Sequence, residues 1–252
     1  MEEEKKLAGF LLIDKPNGRT SFQCVAYIRK LLPYKAKVGH AGTLDSFATG
    51  LLIIAVDRRA TREIDQFMKL SKVYVATGKL GQLTDTLDLT GVTVQEQETL
   101  GITCKQLELA TDYFGDSYQQ IPPIYSALKY EGRQLSELLR KHKMTREQLQ
   151  EVAKQKVREV QIYNLELLKC ELPYFTVRTH VSHGTYIRVL VNDIAQKVSS
   201  VATTHELRRD AIGPFSIKEA VPLDSFMSVS DIEKHLIFID EMLKRLAYKI
   251  PD

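Results

Sequence analysis

One carboxylate stands apart in this sequence. Between Asp14 and Asp57 the only acidic residue is Asp45, set in Val38-Gly39-His40-Ala41-Gly42-Thr43-Leu44-Asp45-Ser46-Phe47-Ala48-Thr49-Gly50. Glycines at this density let backbone approach a ligand closely. A carboxylate on such a loop can serve as a nucleophile or as a base. The same residues also suit a plain strand connection in which Thr43 and Asp45 cap a turn. His40 is either a second substrate-site group or the donor of a structural turn hydrogen bond.

Two further segments carry complementary groups: Tyr74, and Gly184-Thr185-Tyr186-Ile187-Arg188. An arginine beside a carboxylate keeps it ionised and oriented, and tyrosines suit stacking on a planar base. The alternatives are core packing for Tyr74 and Tyr186, and a surface ion pair with Asp193 or Asp210 for Arg188. The stretch Thr84-Asp85-Thr86-Leu87-Asp88 has oxygen ligands enough to attract a metal. Without His or Cys support it reads better as a loop tying its own backbone through Asx and Thr turns. Phosphate-loop, dinucleotide, zinc-protease, Cys-x-x-Cys and nucleophile-elbow motifs are missing from the sequence, which points to chemistry done by side chains alone.

The elements that must position these groups follow from periodicity and caps. Phe10 to Ile13 is a short strand ending in the Asp14-Lys15-Pro16-Asn17-Gly18 turn. A helix runs from Thr20 or Ser21 to Leu32, burying Val25, Ile28, Leu31 and Leu32, and Pro33 stops it. Strands are expected at Leu51 to Val56 and Lys72 to Leu80, with a helix from Thr61 to Leu70 between them. Thr103 with Gln106, and Thr145 with Gln148, have capping-box spacing for two more helices. Gln119 to Lys129 is extended and proline-marked, and Arg133 to His142 is amphipathic. Val157 to Cys170 and Pro173 to Val181 read as a strand pair. A helix then runs from Thr185, as its N-cap, to about Val198. Leu207-Arg208-Arg209 lies on a strand. Ser230 caps a helix near Asp231 to Leu236, and another spans Asp240 to Leu246. Arg133 to Arg158 is rich in Lys and Arg with interspersed Glu, fitting a nucleic-acid face or a solvated helical hairpin.

The chain has 252 residues, 44% hydrophobic and 27% charged, with a net charge of +3. That composition fits one ordinary globular domain able to bury a core without metals or disulfides. The three cysteines, Cys24, Cys104 and Cys170, match no zinc or redox spacing, so they read as buried thiols in a reducing compartment. Met1 to Lys6 lacks the apolar core of a signal peptide, and apolar runs are too short to span a bilayer, so a cytoplasmic location is expected.

Taken in order, six segments resemble the bacterial tRNA pseudouridine-55 synthases. They are Gly9-Phe10-Leu11-Leu12-Ile13-Asp14-Lys15-Pro16 and the Gly39 to Gly50 loop, then Lys72-Val73-Tyr74 with Thr84 to Asp88. Gln120-Ile121-Pro122-Pro123 with Tyr125-Ser126-Ala127-Leu128-Lys129 follows, then Gly184 to Arg188, and Leu207-Arg208-Arg209. The resemblance implies an α+β pseudouridine synthase fold, a mixed and mostly antiparallel sheet flanked by helices with a catalytic cleft across it. It implies a catalytic domain over 9–252 after a flexible 1–8, a basic helical insertion at about 133–158, and no separate C-terminal RNA-binding (PUA) domain. The implied reaction converts uridine 55 in the tRNA T-loop to pseudouridine by base flipping, without cofactor or metal, in a monomer with no obligate protein partner. Asp45 is implied as the catalytic carboxylate, Arg188 as its partner, and Tyr74 as the residue stacking on the flipped base. His40, Tyr186 and Leu207 are implied to line the substrate site. Relative to the family's usual loop, Ser46 replaces a common proline and Ala41 a frequent threonine, and Lys141 to Gln155 is longer than usual.

Overall fold

The computed structural model describes residues 7–126 and 128–247. Met1 to Lys6 of the expected flexible segment, Ala127 of the proline-marked motif, and residues 248–252 lie outside the described residues. Along the chain the elements are β1 (Gly9–Lys15), α1 (Ser21–Leu31), β2 (Val38–His40), β3 (Thr49–Val56), α2 (Asp57–Thr61), α3 (Ile64–Met68) and β4 (Lys72–Leu80). Then come β5 (Gln82–Thr84), β6 (Thr93–Glu96), α4 (Cys104–Asp112), β7 (Ser117–Gln120), β8 (Lys129–Tyr130), β9 (Arg133–Gln134), α5 (Leu135–Arg140) and α6 (Arg146–Lys154). A long hairpin, β10 (Arg158–Glu171) and β11 (Tyr174–Val181), leads to α7 (Ile187–Lys197) and β12 (Ala202–Ile212). The chain closes with β13 (Phe215–Ser216), β14 (Val221–Pro222), α8 (Val229–His235), β15 (Ile237–Phe238) and α9 (Ile239–Ala247). It divides into two compact units, one of Met1–Tyr74 with Leu207–Asp252 and one of Val75–Glu206.

The first unit is built on β3, whose near-continuous apolar run is buried on both faces, the pattern expected of a central strand. β1 pairs with it antiparallel from Gly9↔Val56 to Lys15↔Gly50. β2 pairs antiparallel with its far half, and β12 joins in parallel at Arg208↔Thr49 and Arg209↔Gly50. Alternation sorts the side chains between two cores. Leu11, Ile13, Leu52 and Ile54 pack with Cys24, Val25 and Ile28 of α1. Phe10, Leu12, Leu51 and Ile53 pack on the other side with Phe67, Phe215 and Met242. The α1 helix starts at Thr20, one of the two caps expected for it, through a capping box with Gln23.

The second unit centres on the β10–β11 hairpin, antiparallel from Ile162↔Val181 to Glu171↔Tyr174. β7 pairs antiparallel with the start of β10, and the end of β4 lies beside β11, where Thr77 Oγ1 and Thr176 Oγ1 are 3.0 Å apart. The basic segment folds as the β8–β9 turn with α5 and α6 over a small core of Ile124, Leu135, Leu138, Leu149, Val152 and Ala153. Its charges pair along the helices, as in Lys141–Glu137 and Lys154–Glu151. The α+β class and the mixed, mostly antiparallel pairing agree with the sequence-based expectation.

Four expectations need correction. Thr61 to Leu70 is two short helices rather than one, and Phe67 turns inward to meet the rings of Phe10 and Phe215. Thr185 does not cap α7: its hydroxyl donates to Ser182 O at 3.0 Å, and Tyr186 is the N-cap residue. Ser228, with Asp231 as its capping-box partner, starts α8 in place of Ser230. Finally, Cys104 and Cys170 form a disulfide, with Cα atoms 5.8 Å apart, and only Cys24 is a free buried thiol. The first turn of α4 packs against the far end of β10, a juxtaposition that spacing along 66 residues of chain cannot reveal.

Closing so long a loop restricts the unfolded chain. Replacing both Cys104 and Cys170 by alanine is expected to cost about 2–4 kcal/mol. Calorimetry should show this as a Tm lower by roughly 5–15 °C. Equal Tm values for the parent protein with and without reductant would show that the bond contributes nothing.

Candidate active site

Asp45 lies in the eight-residue connection between β2 and β3, in the first unit. Its neighbours Leu44, Phe47 and Ala48 are buried and anchor the loop, while Asp45 itself stays partly exposed. The backbone around it is gripped from two sides. On one side Lys15 Nζ donates to the carbonyls of Pro16, Arg19 and Ser46, at 2.9, 2.6 and 3.2 Å. Gly18 N–H also donates to Ser46 O, and Ser21 Oγ both donates to Leu44 O and accepts from Leu44 N–H. On the other side Arg209, 1% exposed, donates to the carbonyls of Leu51 at 2.8 Å and of Thr43 and Gly42 at 3.3 Å. At Gly50, φ is +107° and a Cβ would stand 2.4 Å from Arg209 O, so no side chain fits there.

These cations create an electropositive surround. Burial pushes the Lys15 ammonium down to about 8, against the opposing pull of Cys24 and then of Asp45. Lys72, at the start of β4, is also pushed to about 8 by burial and then by the charge of Arg209. Its Nζ donates to the carbonyls of Met68 and Leu70. His40, the last residue of β2, is driven below its ordinary pKa by burial first and by Arg209 second. Its Nδ1 is a buried atom without a hydrogen-bond partner. A backbone hydrogen bond with Gly42 opposes this lowering, so the ring is tied to the turn although Nδ1 has no partner. Tyr74 and Leu207 are buried at the two points where the chain passes from one unit to the other.

Arg188 and Tyr186 belong to the second unit, at the start of α7. The Arg188 side chain is 5% exposed, which excludes the surface pairing considered for it. Nη1 lies 3.3 Å from Asp88 Oδ2 and donates to Thr86 O, and Nη2 donates to Tyr125 O at 2.7 Å. Asp88 Oδ1 in turn accepts from the hydroxyls of Thr86 and Thr90, at 2.9 and 2.5 Å, and from Thr90 N–H at 2.9 Å. The Thr84–Asp88 stretch is thus the self-tied loop expected of it, and it also supplies an ion-pair partner. Asp193 engages Tyr118 and lies within the field of Lys197. Among the described residues no cluster of His, Cys, Asp or Glu could hold a metal ion.

Lys15 and Arg209 were not singled out from sequence, and Asp88 was read only as part of a self-tied loop. A buried cation needs carbonyls or a carboxylate, and Thr-x-Asp-x-Thr is a pattern that makes an aspartate a good buried acceptor. Those were the available signals.

The lowered pKa of His40 has a sign that can be tested. Below its ordinary value of 6.5 the unfolded chain takes up a proton that the folded chain resists, so stability falls with falling pH. Urea unfolding between pH 7.5 and 5 should show a shallower decline for His40→Gln than for the parent chain. Parallel declines would remove His40 from the account.

Comparison with known proteins places these residues in context. Residues 29–187 match the model of the TruB family pseudouridylate synthase (N terminal domain). The tRNA pseudouridine synthase B of Caldicellulosiruptor saccharolyticus is 40% identical over 235 residues, covering 93% of this chain and 78% of the relative. That of Endomicrobium trichonymphae is 41% identical over 229 residues, covering 91% and 95%. In a crystal structure of a Cbf5-Nop10-Gar1 complex one chain aligns with a TM-score of 0.66 at 27% identity. The alignment takes in 95% of this chain and 59% of that one, so the present chain spans about three-fifths of its length. The family model and these relatives together show that the chain belongs to the TruB family of pseudouridylate synthases.

Proposed function

We propose that this protein converts uridine 55 in the T-loop of tRNA to pseudouridine, with Asp45 as the catalytic carboxylate. The observation that carries this reading is the Asp45 loop, whose backbone is fixed by Lys15, Ser21 and Arg209 while Asp45 itself stays partly exposed. Relatives at about 40% identity, named tRNA pseudouridine synthase B, support the substrate.

The reaction breaks the N1–C1′ glycosidic bond and forms a C5–C1′ bond to the same ribose, and the C5 proton leaves. The base must therefore detach, turn and reattach without escaping. Extracting it from a folded loop costs a few kcal/mol, and stacking on an aromatic ring offsets about 1–3 kcal/mol. In this reading Tyr74 provides that stack, and Asp45 attacks the ribose or removes its proton. Arg188 keeps the catalytic carboxylate ionised, and His40, Tyr186 and Leu207 bound the substrate site. The basic helices α5 and α6 hold the RNA backbone. The protein works on tRNA as a cytoplasmic monomer without an obligate protein partner. No helix among the described residues is long and apolar enough to cross a membrane.

In a C5-tritium release assay on a T-arm RNA, Asp45→Asn should lower the rate by about 10³-fold or more. Full activity would overturn the assignment, and tight RNA binding by the parent chain without turnover would make it a binding module instead. For the basic segment, Arg140 and Lys143 are exposed. Reversing both charges should weaken RNA affinity and flatten its dependence on salt. Unchanged affinity would return α5 and α6 to a solvated hairpin.

A further inference from the structure

We propose that Gln120 and Arg158 are positioning residues for the chemical step, seating Tyr186 between an amide clamp and a stacked guanidinium. The two face each other across the β7–β10 ladder as a direct Gln120↔Arg158 pair. From there they act on different parts of the same residue. This inference rests on the reading of Tyr186 as a substrate-site residue.

Gln120 is fully buried on the last position of β7. Its Oε1 accepts from Tyr186 N–H at 2.8 Å, and its Nε2 donates to Tyr186 O at 3.0 Å. The second Nε2 hydrogen goes to the Tyr118 hydroxyl oxygen at 2.5 Å. That hydroxyl in turn bonds the Asp193 carboxylate. Donor and acceptor capacities allow only one polarity along this chain. A backbone N–H can only donate and a backbone carbonyl can only accept, so the amide cannot flip. Its outer hydrogen obliges the phenol to accept there and to donate to Asp193. Every polar atom of the Gln120 amide is spent on holding Tyr186 or on being held itself.

Arg158 addresses the ring. Its guanidinium carbon lies 4.5 Å from the Tyr186 ring centroid, and its buried Nε has no hydrogen-bond partner. Stacking therefore retains this side chain where hydrogen bonding at Nε does not. Gly184 makes room for it: φ is +82°, and a Cβ there would stand 3.2 Å from Arg158 Nη1. The glycine of Gly184-Thr185-Tyr186-Ile187-Arg188 is thus favoured by its backbone conformation, and a Cβ there would ask the guanidinium to give by a few tenths of an ångström.

The consequence reaches Arg188. Tyr186 is the N-cap residue of α7 and has no side-chain capping bond, so the helix start is located by what grips Tyr186. Arg188 follows two residues later, buried against Asp88. A shift at Tyr186 moves the ring and displaces the guanidinium behind it. Misplacement of about 1 Å can cost ~10²-fold in a chemical step.

The test uses the full chain and a T-arm RNA, measuring the single-turnover rate of pseudouridine formation and the RNA Kd separately, with unfolding curves confirming the folded state. Arg158→Lys keeps the charge and loses the planar stack, and Gln120→Met keeps the length and loses the clamp. Each is expected to lower the single-turnover rate by about ten- to hundredfold, with Kd within about threefold of the parent. Should Gln120→Met fail to fold, Tyr118→Phe takes its place, removing only the hydroxyl that orients the amide. Its expected loss is about three- to tenfold in rate. A parental rate in either folded variant, or a loss confined to Kd, overturns the proposal. A parent chain that forms no pseudouridine refutes the proposed function, and this inference falls with it.

Discussion

Everything in the first unit that concerns Asp45 depends on how one buried guanidinium is satisfied. Arg209 is almost entirely removed from water, and an arginine so placed must find oxygen for its donors or destabilise the fold. It finds that oxygen in backbone carbonyls on both sides of the carboxylate, at Gly42, Thr43 and Leu51. The loop is therefore part of the solvation of Arg209 and cannot drift without exposing an unpaired charge. Lys15 repeats the arrangement from β1, binding Ser46 O immediately after the aspartate. Two cations that cannot be released hold a segment that would otherwise be the most mobile kind of structure, a glycine-rich connection.

The second unit solves a similar problem with a carboxylate. Arg188 is also buried, and Asp88 answers its charge while two threonines fill the remaining acceptor capacity of Asp88. Around it the loop from Gln82 is sewn to the start of β12, where Thr84 N–H meets Thr203 Oγ1 and Asp88 bridges Thr204. In both units a cation is desolvated and its cost is offset by groups with no freedom to relax. Such preorganisation is what a reaction requiring fixed charge would use.

What could be read from the sequence was whatever is decided locally. The capping boxes at Thr103 and Thr145 each start the helix expected of them, because donor and acceptor lie within one turn. The strand at Lys72 to Leu80 was legible from alternation, and burial does alternate along it, with Tyr74, Ala76 and Gly78 on the buried side. Misread elements share another property. Thr185 was taken for a cap because its neighbours allow it, yet a nearby turn claims its hydroxyl. The disulfide joins residues whose meeting depends on α4 docking at the end of β10, and no local rule encodes that. At the site, Asp45 was conspicuous by being solitary. The burial of Lys15, Arg209 and Asp88 was not legible, since a charged residue in a sequence carries no mark of burial.

Ser46 shows what this kind of support allows. Its partners, Lys15 and Gly18, contact its carbonyl oxygen, and its side chain faces solvent. A carbonyl is common to all twenty residue types, proline included. The grip on the turn beside Asp45 is therefore indifferent to the identity of residue 46. It reads shape where a side-chain contact would read spelling, so the spelling of this loop is free to vary at that point while the geometry is inherited intact.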